Sequence, residues 1–167
     1  MVKEAAWQLV ENFYDNWESV LFYDLYAASG QMAIEAISRG CTSAFAIEIN
    51  RSRVQHIRTF ASRENINELN VHQADALRFL KKPLPAGFET LLVYADPPYS
   101  EKDPYLKILK LFIAHCNSSD QIQRAMLLVQ APHKKYQPVT AHSEEISYNA
   151  IYTYRKQQLL SYKYSQI

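Results

Sequence analysis

The stretch Ser19–Gly40, SVLFYDLYAASGQMAIEAISRG, contains the patterns of a buried strand, a tight turn and an amphipathic helix in that order. Residues 19–27 form an almost continuous apolar run with a single acid, Asp24, which is typical of a strand buried on both faces of a parallel sheet. Ser29-Gly30 interrupts this run, and apolar residues then recur at helical spacing over residues 31–38. The stretch therefore predicts the first half of a βαβ crossover unit.

Similar apolar runs, each followed by a helical pattern, extend this unit along the chain. Further strands are predicted at residues 43–49, 70–74, 90–95 and 125–130, and helices at residues 1–14, 51–63, 75–82 and 105–116. Residues 143–150 and 151–158 alternate more strongly, as a terminal antiparallel pair of strands would. The sequence predicts an α/β fold with a doubly wound, mostly parallel sheet, organised as one domain over residues 1–167.

The composition is that of an ordinary globular domain and excludes several classes of protein. Apolar residues make up 48% of the 167 residues and the formal net charge is +1. That charge argues against a histone-like nucleic-acid wrapper, but not against a local basic surface. Cys41 and Cys116 form no CxxC pair and the histidines show no metal-binding spacing, so we expect neither a disulfide scaffold nor a metal site. We expect a cytoplasmic monomer without a membrane anchor.

Acidic residues follow four of the predicted strands at the point where each strand ends. They are Asp24, Glu48, Asp75 and Asp96. Because ligands of open α/β sheets bind at the carboxyl ends of the strands, we expect these acids to line one crevice. Any one of them alone is better explained as a helix N-cap or a solvated edge residue, but the four together favour a shared site.

The turn after the first strand lacks the glycines of a dinucleotide-binding fingerprint, since Gly30 stands alone in it. The missing glycines and Asp24 disfavour an anionic diphosphate and favour a cofactor with a cationic centre and an amino-acid tail. Glu48 follows this turn by about 20 residues, a spacing at which an acid accepts both hydroxyls of an adenosine ribose. Asp75, followed by Ala76, either meets an adenine amino group or caps a helix.

The tetrapeptide Asp96-Pro97-Pro98-Tyr99 is the most specific motif in the chain. Its prolines stiffen the backbone and remove two donors, so the Asp96 carboxylate and the Pro97 carbonyl can accept hydrogen bonds from one exocyclic amino group of a nucleobase. The bond to the carboxylate would be charge-assisted. Tyr99 would stack on the flipped base. A rigid turn is the alternative interpretation.

Residues 24–40, Glu48, Asp75-Ala76 and Asp96–Tyr99 together resemble the RsmD-like family of small-subunit ribosomal RNA guanine-N2 methyltransferases. That family belongs to the class I S-adenosylmethionine-dependent methyltransferases. The similarity in order and spacing covers about residues 2–155. Ala28 stands where the family usually has glycine, and the basic segment that usually precedes the family's domain is expected to be absent or truncated.

The resemblance implies a Rossmann-like sheet of seven strands, one of them antiparallel near the C-terminus, and S-adenosylmethionine as the cofactor. It also implies a ribosomal RNA or small ribosomal subunit as the partner. The implied roles are the methionine portion of the cofactor for Asp24, Ala27, Ser29 and Gly30, its ribose for Glu48, its adenine for Asp75 and Ala76, and the target guanine for Asp96, Pro97 and Tyr99.

Two further predictions concern contacts with the substrate. Lys134 and Lys135 follow the fifth predicted strand on the side of the crevice, and we expect them to contact RNA phosphates, with Pro98 also on the substrate side. The arginines of residues 51–63 are instead expected to form a solvated helix face.

The sequence leaves three other functions open. A DNA adenine-N6 methyltransferase also uses Asp-Pro-Pro-Tyr, although such enzymes usually add a target-recognition domain. A catalytically inactive relative that binds RNA as a scaffold is a second alternative. A dinucleotide-dependent oxidoreductase is disfavoured by the missing glycines.

Overall fold

Helices and strands alternate along the chain in the computed structural model, which describes residues 2–11, 14, 16–98, 104–132, 146–154 and 157–165. The helices are α1 (Val2–Glu11), α2 (Gln31–Ser38), α3 (Arg51–Arg63), α4 (Ala76–Phe79) and α5 (Pro104–Asn117). The strands are β1 (Val20–Asp24), β2 (Ser43–Glu48), β3 (Leu69–Gln73), β4 (Thr90–Ala95), β5 (Arg124–Pro132), β6 (Ile146–Tyr154) and β7 (Gln157–Ser165).

These strands form one seven-stranded sheet in the order β3-β2-β1-β4-β5-β7-β6. β1 to β5 are parallel to one another, and β7 runs antiparallel to both of its neighbours. The predicted class, a mostly parallel α/β sheet with an antiparallel strand near the C-terminus, is confirmed. The chain moves outward from β1 to β3 and then returns to β4 on the other side of β1, which places the topological switch point between β1 and β4.

Helices cover both faces of this sheet, as fully buried parallel strands require. α4 and α5 pack on one face, where Phe79, Ile108 and Phe112 belong to the same apolar cluster. α1, α2 and α3 pack on the other face, where Trp7 and Ile57 lie in a second cluster. Every residue of β1 and β4 is buried, which explains why both strands appear in the sequence as continuous apolar runs. No helix within the described residues has the length and apolar character needed to span a membrane.

The C-terminal strands differ from their predicted boundaries. The two predicted segments meet at residues 150 and 151, whereas β6 continues through this point to Tyr154. Residues 146–165 contain neither glycine nor proline, so the sequence gives no strong signal for where the turn lies. An irregularity in the β6–β7 register between Tyr148 and Ala150 coincides with the predicted break without ending the strand.

A buried histidine makes the stability of this fold depend on pH. His115 on α5 is 3% exposed, its ring lies 5.8 Å from the Tyr23 ring, and burial lowers its pKa even though a hydrogen bond with the Leu80 backbone acts in the opposite direction. The unfolded chain therefore binds a proton near pH 6.5 that the folded chain does not yet bind.

We expect the free energy of unfolding to fall as the pH is lowered through 6.5. In His115→Gln this contribution is removed, so the fall between neutral and mildly acidic pH becomes smaller. Urea unfolding of both proteins across this pH range measures the difference. Equal pH dependence in the two proteins would contradict this role for His115.

Candidate active site

The carboxyl ends of β1, β2, β3 and β4 meet at one edge of the sheet, because these four strands are parallel and paired in register. Asp24 ends β1 and Glu48 ends β2, whereas Asp75 and Asp96 follow shortly after β3 and β4. Asp24 and Glu48 are buried, and Asp75 and Asp96 are partly buried. The structure thus places the four predicted acids along the same edge.

The Glu48 carboxylate is fixed by backbone donors from two sides. Its Oε2 accepts a hydrogen bond from the Ala28 N–H at 2.9 Å, and its Oε1 accepts one from the Asn50 N–H at 2.8 Å. The Arg53 guanidinium lies 3.6 Å from Oε2. These partners offset the cost of removing a carboxylate from water. Since each carboxylate oxygen has two lone pairs, one acceptor position remains on each oxygen.

The turn after β1 is held against the strands on either side of it. The Leu25 N–H donates to the Tyr94 carbonyl on β4, and the Ala27 N–H donates to the Ile47 carbonyl on β2, both at 2.9 Å. β1 ends at Asp24, three residues before the predicted strand end, and these bonds hold the turn that follows between β4 and β2. The Ala27 side chain is buried, so contact of this residue with a ligand would involve its backbone.

Two residues of this turn have left-handed backbone conformations. Ala28 has φ +49°, an uncommon conformation for a residue with a Cβ, and its N–H points to Glu48. Gly30 has φ +76°, and a Cβ built there would lie 3.0 Å from the Ile57 Cγ2 atom on α3. Gly30 is therefore required for the close packing of the turn on α3, a role independent of its predicted contact with a cofactor.

A cavity of about 430 Å³ opens beside this turn and the first residues of α3. It is lined by Ala28, Ser29, Ser52, Arg53 and His56. Ser29 is exposed, and Arg53 connects the cavity to the Glu48 carboxylate. The predicted residue Ser29 therefore lines a cavity that Arg53 also lines, and Arg53 is the residue that pairs with Glu48.

Asp75 performs the structural role that the sequence left open. Its Oδ1 accepts a hydrogen bond from the Arg78 N–H at 2.8 Å and caps the N-terminus of α4. The Ala76 side chain is buried in the same cluster as Phe79. Contacts of these two residues with an adenine ring would therefore involve the second carboxylate oxygen of Asp75 and the backbone of Ala76.

Asp96, Pro97 and Pro98 follow β4 directly at the same edge. Pro97 is buried and Pro98 is exposed. Just before them, the Tyr94 hydroxyl donates to the Gln130 Oε1 at 3.0 Å, and this buried bond joins β4 to β5. The end of β4 is therefore firmly positioned. Tyr99, Lys134 and Lys135 lie outside the described residues.

Ile49, directly after Glu48, is a residue of the site region that was not predicted from the sequence. Its side chain is 67% exposed, and it is the large exposed apolar residue of the described chain. It follows Glu48 and precedes Asn50, whose Oδ1 caps α3 by accepting from the Arg53 N–H. The sequence does contain a signal for Ile49, because this apolar residue directly follows Glu48, the acid that ends β2. Its apolar character made Ile49 look like the last residue of the predicted strand.

An open parallel sheet with a switch point between β1 and β4 defines a Rossmann-like fold, and the oriented acid at the end of β2 lies where ligands of such sheets bind. Among the described residues, no group of three or more His, Cys, Asp or Glu side chains is placed to hold a metal ion. The chain belongs to the family described as Conserved hypothetical protein 95, whose match covers residues 1–162. The resemblance to the RsmD-like family is thereby confirmed.

Three known proteins are similar to this chain in sequence or in fold. Ribosomal RNA small subunit methyltransferase D of Buchnera aphidicola is 29% identical over 76 residues, which cover 46% of this chain and 37% of that protein. A conserved hypothetical protein of Streptococcus pyogenes has a TM-score of 0.76 at 22% identity, covering 98% of this chain and 95% of its own. The Escherichia coli candidate methyltransferase yhhF has a TM-score of 0.75 at 19% identity, covering 99% and 87%. These two structures share the fold.

The left-handed backbone conformations of Ala28 and Gly30 affect the free energy of unfolding. We expect Ala28→Gly to raise the free energy of unfolding by about 0.5–1 kcal/mol, because glycine removes the left-handed strain at a cost in chain entropy. Gly30→Ala should lower it by more than 1 kcal/mol, on the order of the strain and crowding combined. Urea unfolding measures both changes.

Gly87 supplies the matched control for the second change. It has φ +94° but no atom within 4 Å of a built Cβ, so Gly87→Ala incurs the backbone strain without the contact to Ile57. If Gly30→Ala and Gly87→Ala destabilise the protein equally, the packing of Gly30 on α3 is not the constraint described above.

Proposed function

We propose that this protein is an S-adenosylmethionine-dependent methyltransferase that modifies the exocyclic N2 amino group of a guanine in small-subunit ribosomal RNA. The observation that carries the proposal is the buried Glu48 carboxylate, which is oriented by two backbone donors and lies at the same edge as Asp96-Pro97-Pro98. The family match and the curated ribosomal RNA methyltransferase from Buchnera aphidicola support this activity. A monomer acting in the cytoplasm is part of the same proposal.

The acceptor groups at the site fit this cofactor. Glu48 has one remaining acceptor position on each carboxylate oxygen, which matches the two hydroxyls of a ribose. Buried Asp24 provides negative charge near the turn, which suits a cationic amino-acid portion better than a diphosphate. Ala27, Ser29 and Gly30 would hold that portion. Bound S-adenosylmethionine supplies an electrophilic methyl group on a sulfonium centre.

The base of the cofactor would lie between the end of β2 and the start of α4. Asp75 and the backbone of Ala76 would contact the adenine edge, and the exposed Ile49 side chain would pack on its face. Such packing would remove from water an apolar side chain that is otherwise two-thirds exposed.

The residues after β4 would hold the group that is methylated. The Asp96 carboxylate and the Pro97 carbonyl accept the two N–H donors of an amino group, which orients the nitrogen lone pair toward the methyl group. The bond to Asp96 is charge-assisted, and the rigid Pro97-Pro98 backbone limits the motion of both acceptors. Tyr99, which lies outside the described residues, would stack on the base, as the resemblance implies. Positioning of this kind lowers the barrier without a metal ion or a covalent enzyme intermediate.

We expect Glu48→Gln to weaken binding of S-adenosylmethionine at least about ten-fold, because an amide cannot accept all the hydrogen bonds of the carboxylate. Titration calorimetry measures the dissociation constant. Glu68→Gln is the matched control, since Glu68 is exposed and precedes the amino end of β3, at the other end of the strands from the site. An unchanged dissociation constant in Glu48→Gln would remove Glu48 from the cofactor site.

We expect Asp96→Asn to lower methyl transfer to small-subunit ribosomal RNA by about 10²-fold or more, while cofactor binding changes little. The physical reason is the loss of the charged acceptor at the target nitrogen. Mass spectrometry of digested RNA measures the product, and Asp120→Asn, an exposed substitution in the α5–β5 connection, is the control.

The product also tests the choice of substrate. N2-methylguanosine in RNA supports the proposal, whereas N6-methyladenine formed in DNA would establish the alternative that shares the Asp-Pro-Pro-Tyr motif. Transfer by Asp96→Asn at the level of the unmodified protein would show that Asp96 does not hold the reacting amino group.

A further inference from the structure

Charge is distributed unevenly along this chain despite its net charge of +1. Residues 1–48 contain seven acidic and two basic residues, whereas residues 49–82 contain seven basic and three acidic residues. The first segment includes α1 and α2, and the second includes α3, β3 and α4. Basic residues are therefore concentrated in the part of the chain that forms α3, β3 and α4.

Helix α3 presents a basic stripe to solvent. It contains four arginines and no acidic residue. Arg51, Gln55, Arg58 and Ser62 follow one another at helical spacing and are all exposed. Arg51 and Arg58 are thus about 10 Å apart along the same face of the helix. The Arg58 guanidinium also donates to the Val71 carbonyl at 2.8 Å, which brings it over β3, the edge strand of the sheet.

Basic residues from the other face of the sheet approach the same edge. Arg78, Lys81 and Lys82, on and just after α4, are all exposed. Burial lowers the pKa of His72 on β3, and the nearby charges of Lys82 and Arg58 lower it further. Helices α3 and α4 cover opposite faces of the sheet, so their cations become neighbours by converging around the β3 edge.

The acids near this edge do not neutralise its cations. Asp75 is turned toward the N-terminus of α4, where it accepts from the Arg78 N–H. Glu64 pairs with Arg63 at the far end of α3. Among the described residues, none of Arg51, Arg78, Lys81 and Lys82 forms an ion pair.

The basic residues around β3 extend from the candidate active site, because α3 begins beside Glu48. Arg51 and Arg53 lie in the first turn of α3, shortly after Glu48 at the end of β2 and Asn50, the N-cap of α3. Arg53 also lines the cavity that opens beside Ser29. A chain of phosphates leaving the site on this side would meet cations along its path. On the side of α1 and α2 it would meet Glu4, Glu11 and Glu35, the last two of which pair with Arg39.

We propose that the β3-edge surface, formed by Arg51, Arg58, Arg78, Lys81 and Lys82, binds the phosphate backbone of the RNA that flanks the target nucleotide. The identity of the polyanion as RNA rests on the proposed function. Contacts of this kind position a nucleic acid without reading its sequence. The arginines of α3, expected from the sequence to form a solvated face, thereby acquire a role in binding.

The test is the charge reversal Arg51→Glu/Lys81→Glu, measured by fluorescence anisotropy with a labelled RNA hairpin of about 30 nucleotides over a range of salt concentrations. We expect RNA binding to weaken at least about ten-fold and the salt dependence to decrease by about one to two phosphate contacts. Both side chains are exposed and take part in no described ion pair, so the fold should be retained, which thermal unfolding checks.

Lys107→Glu/Lys110→Glu on α5 is the matched control, because it makes the same change in net charge at two exposed positions. RNA affinity of this control close to that of the unmodified protein supports the proposal. Equal weakening in both double variants would show that net charge alone matters, and would overturn it. Failure of the unmodified protein to bind the RNA hairpin, or stronger binding of a DNA hairpin through the same residues, would overturn it as well.

Calorimetry with S-adenosylmethionine on the same proteins separates this inference from the proposed function. If the cofactor fails to bind the unmodified protein but RNA binding is lost in Arg51→Glu/Lys81→Glu, the methyltransferase proposal fails and the surface stands. If cofactor binding and methyl transfer are intact while both double variants bind RNA equally, the surface is overturned and the methyltransferase proposal stands.

Discussion

The Glu48 carboxylate holds together the elements that form the candidate active site. One oxygen accepts from the turn after β1, and the other accepts from Asn50 at the start of α3. A carboxylate that is 6% exposed is costly to bury without such partners. This side chain therefore links the end of β2, the turn and the start of α3, in addition to the Ala27–Ile47 backbone bond and the packing of Gly30 on Ile57.

This arrangement explains why the turn tolerates an alanine in a conformation that favours glycine. The Ala28 N–H is directed at Glu48, so its left-handed backbone is compensated by a charge-assisted hydrogen bond. Gly30 has no such freedom, because its missing Cβ leaves room for Ile57 of α3. The backbone conformation of Ala28 is held by its hydrogen bond to Glu48, whereas the residue type at Gly30 is determined by packing against Ile57.

The sequence predicts the fold well, because buried parallel strands are continuous apolar runs and acids mark where they end. It could not decide the role of Asp75, since a helix cap and a ligand acceptor require the same residue type at the same place. It missed Ile49 because an exposed apolar residue next to a strand is indistinguishable from a buried one in sequence. The β3-edge surface combines α3 and α4, which become neighbours only because β3 lies at the edge of the sheet.

The distribution of charge suggests how one small domain could handle a polyanionic substrate at an acidic site. Asp24, Glu48 and Asp96 lie along the edge where the chemistry is proposed, and they would repel phosphate groups. An uncharged base can enter such a site, whereas its backbone must remain outside. Exposed cations around β3 would hold that backbone, and among the described residues none of Arg51, Arg78, Lys81 and Lys82 forms an ion pair with these acids. The proposed selection of the reacting group and the proposed retention of the RNA thus depend on different residues.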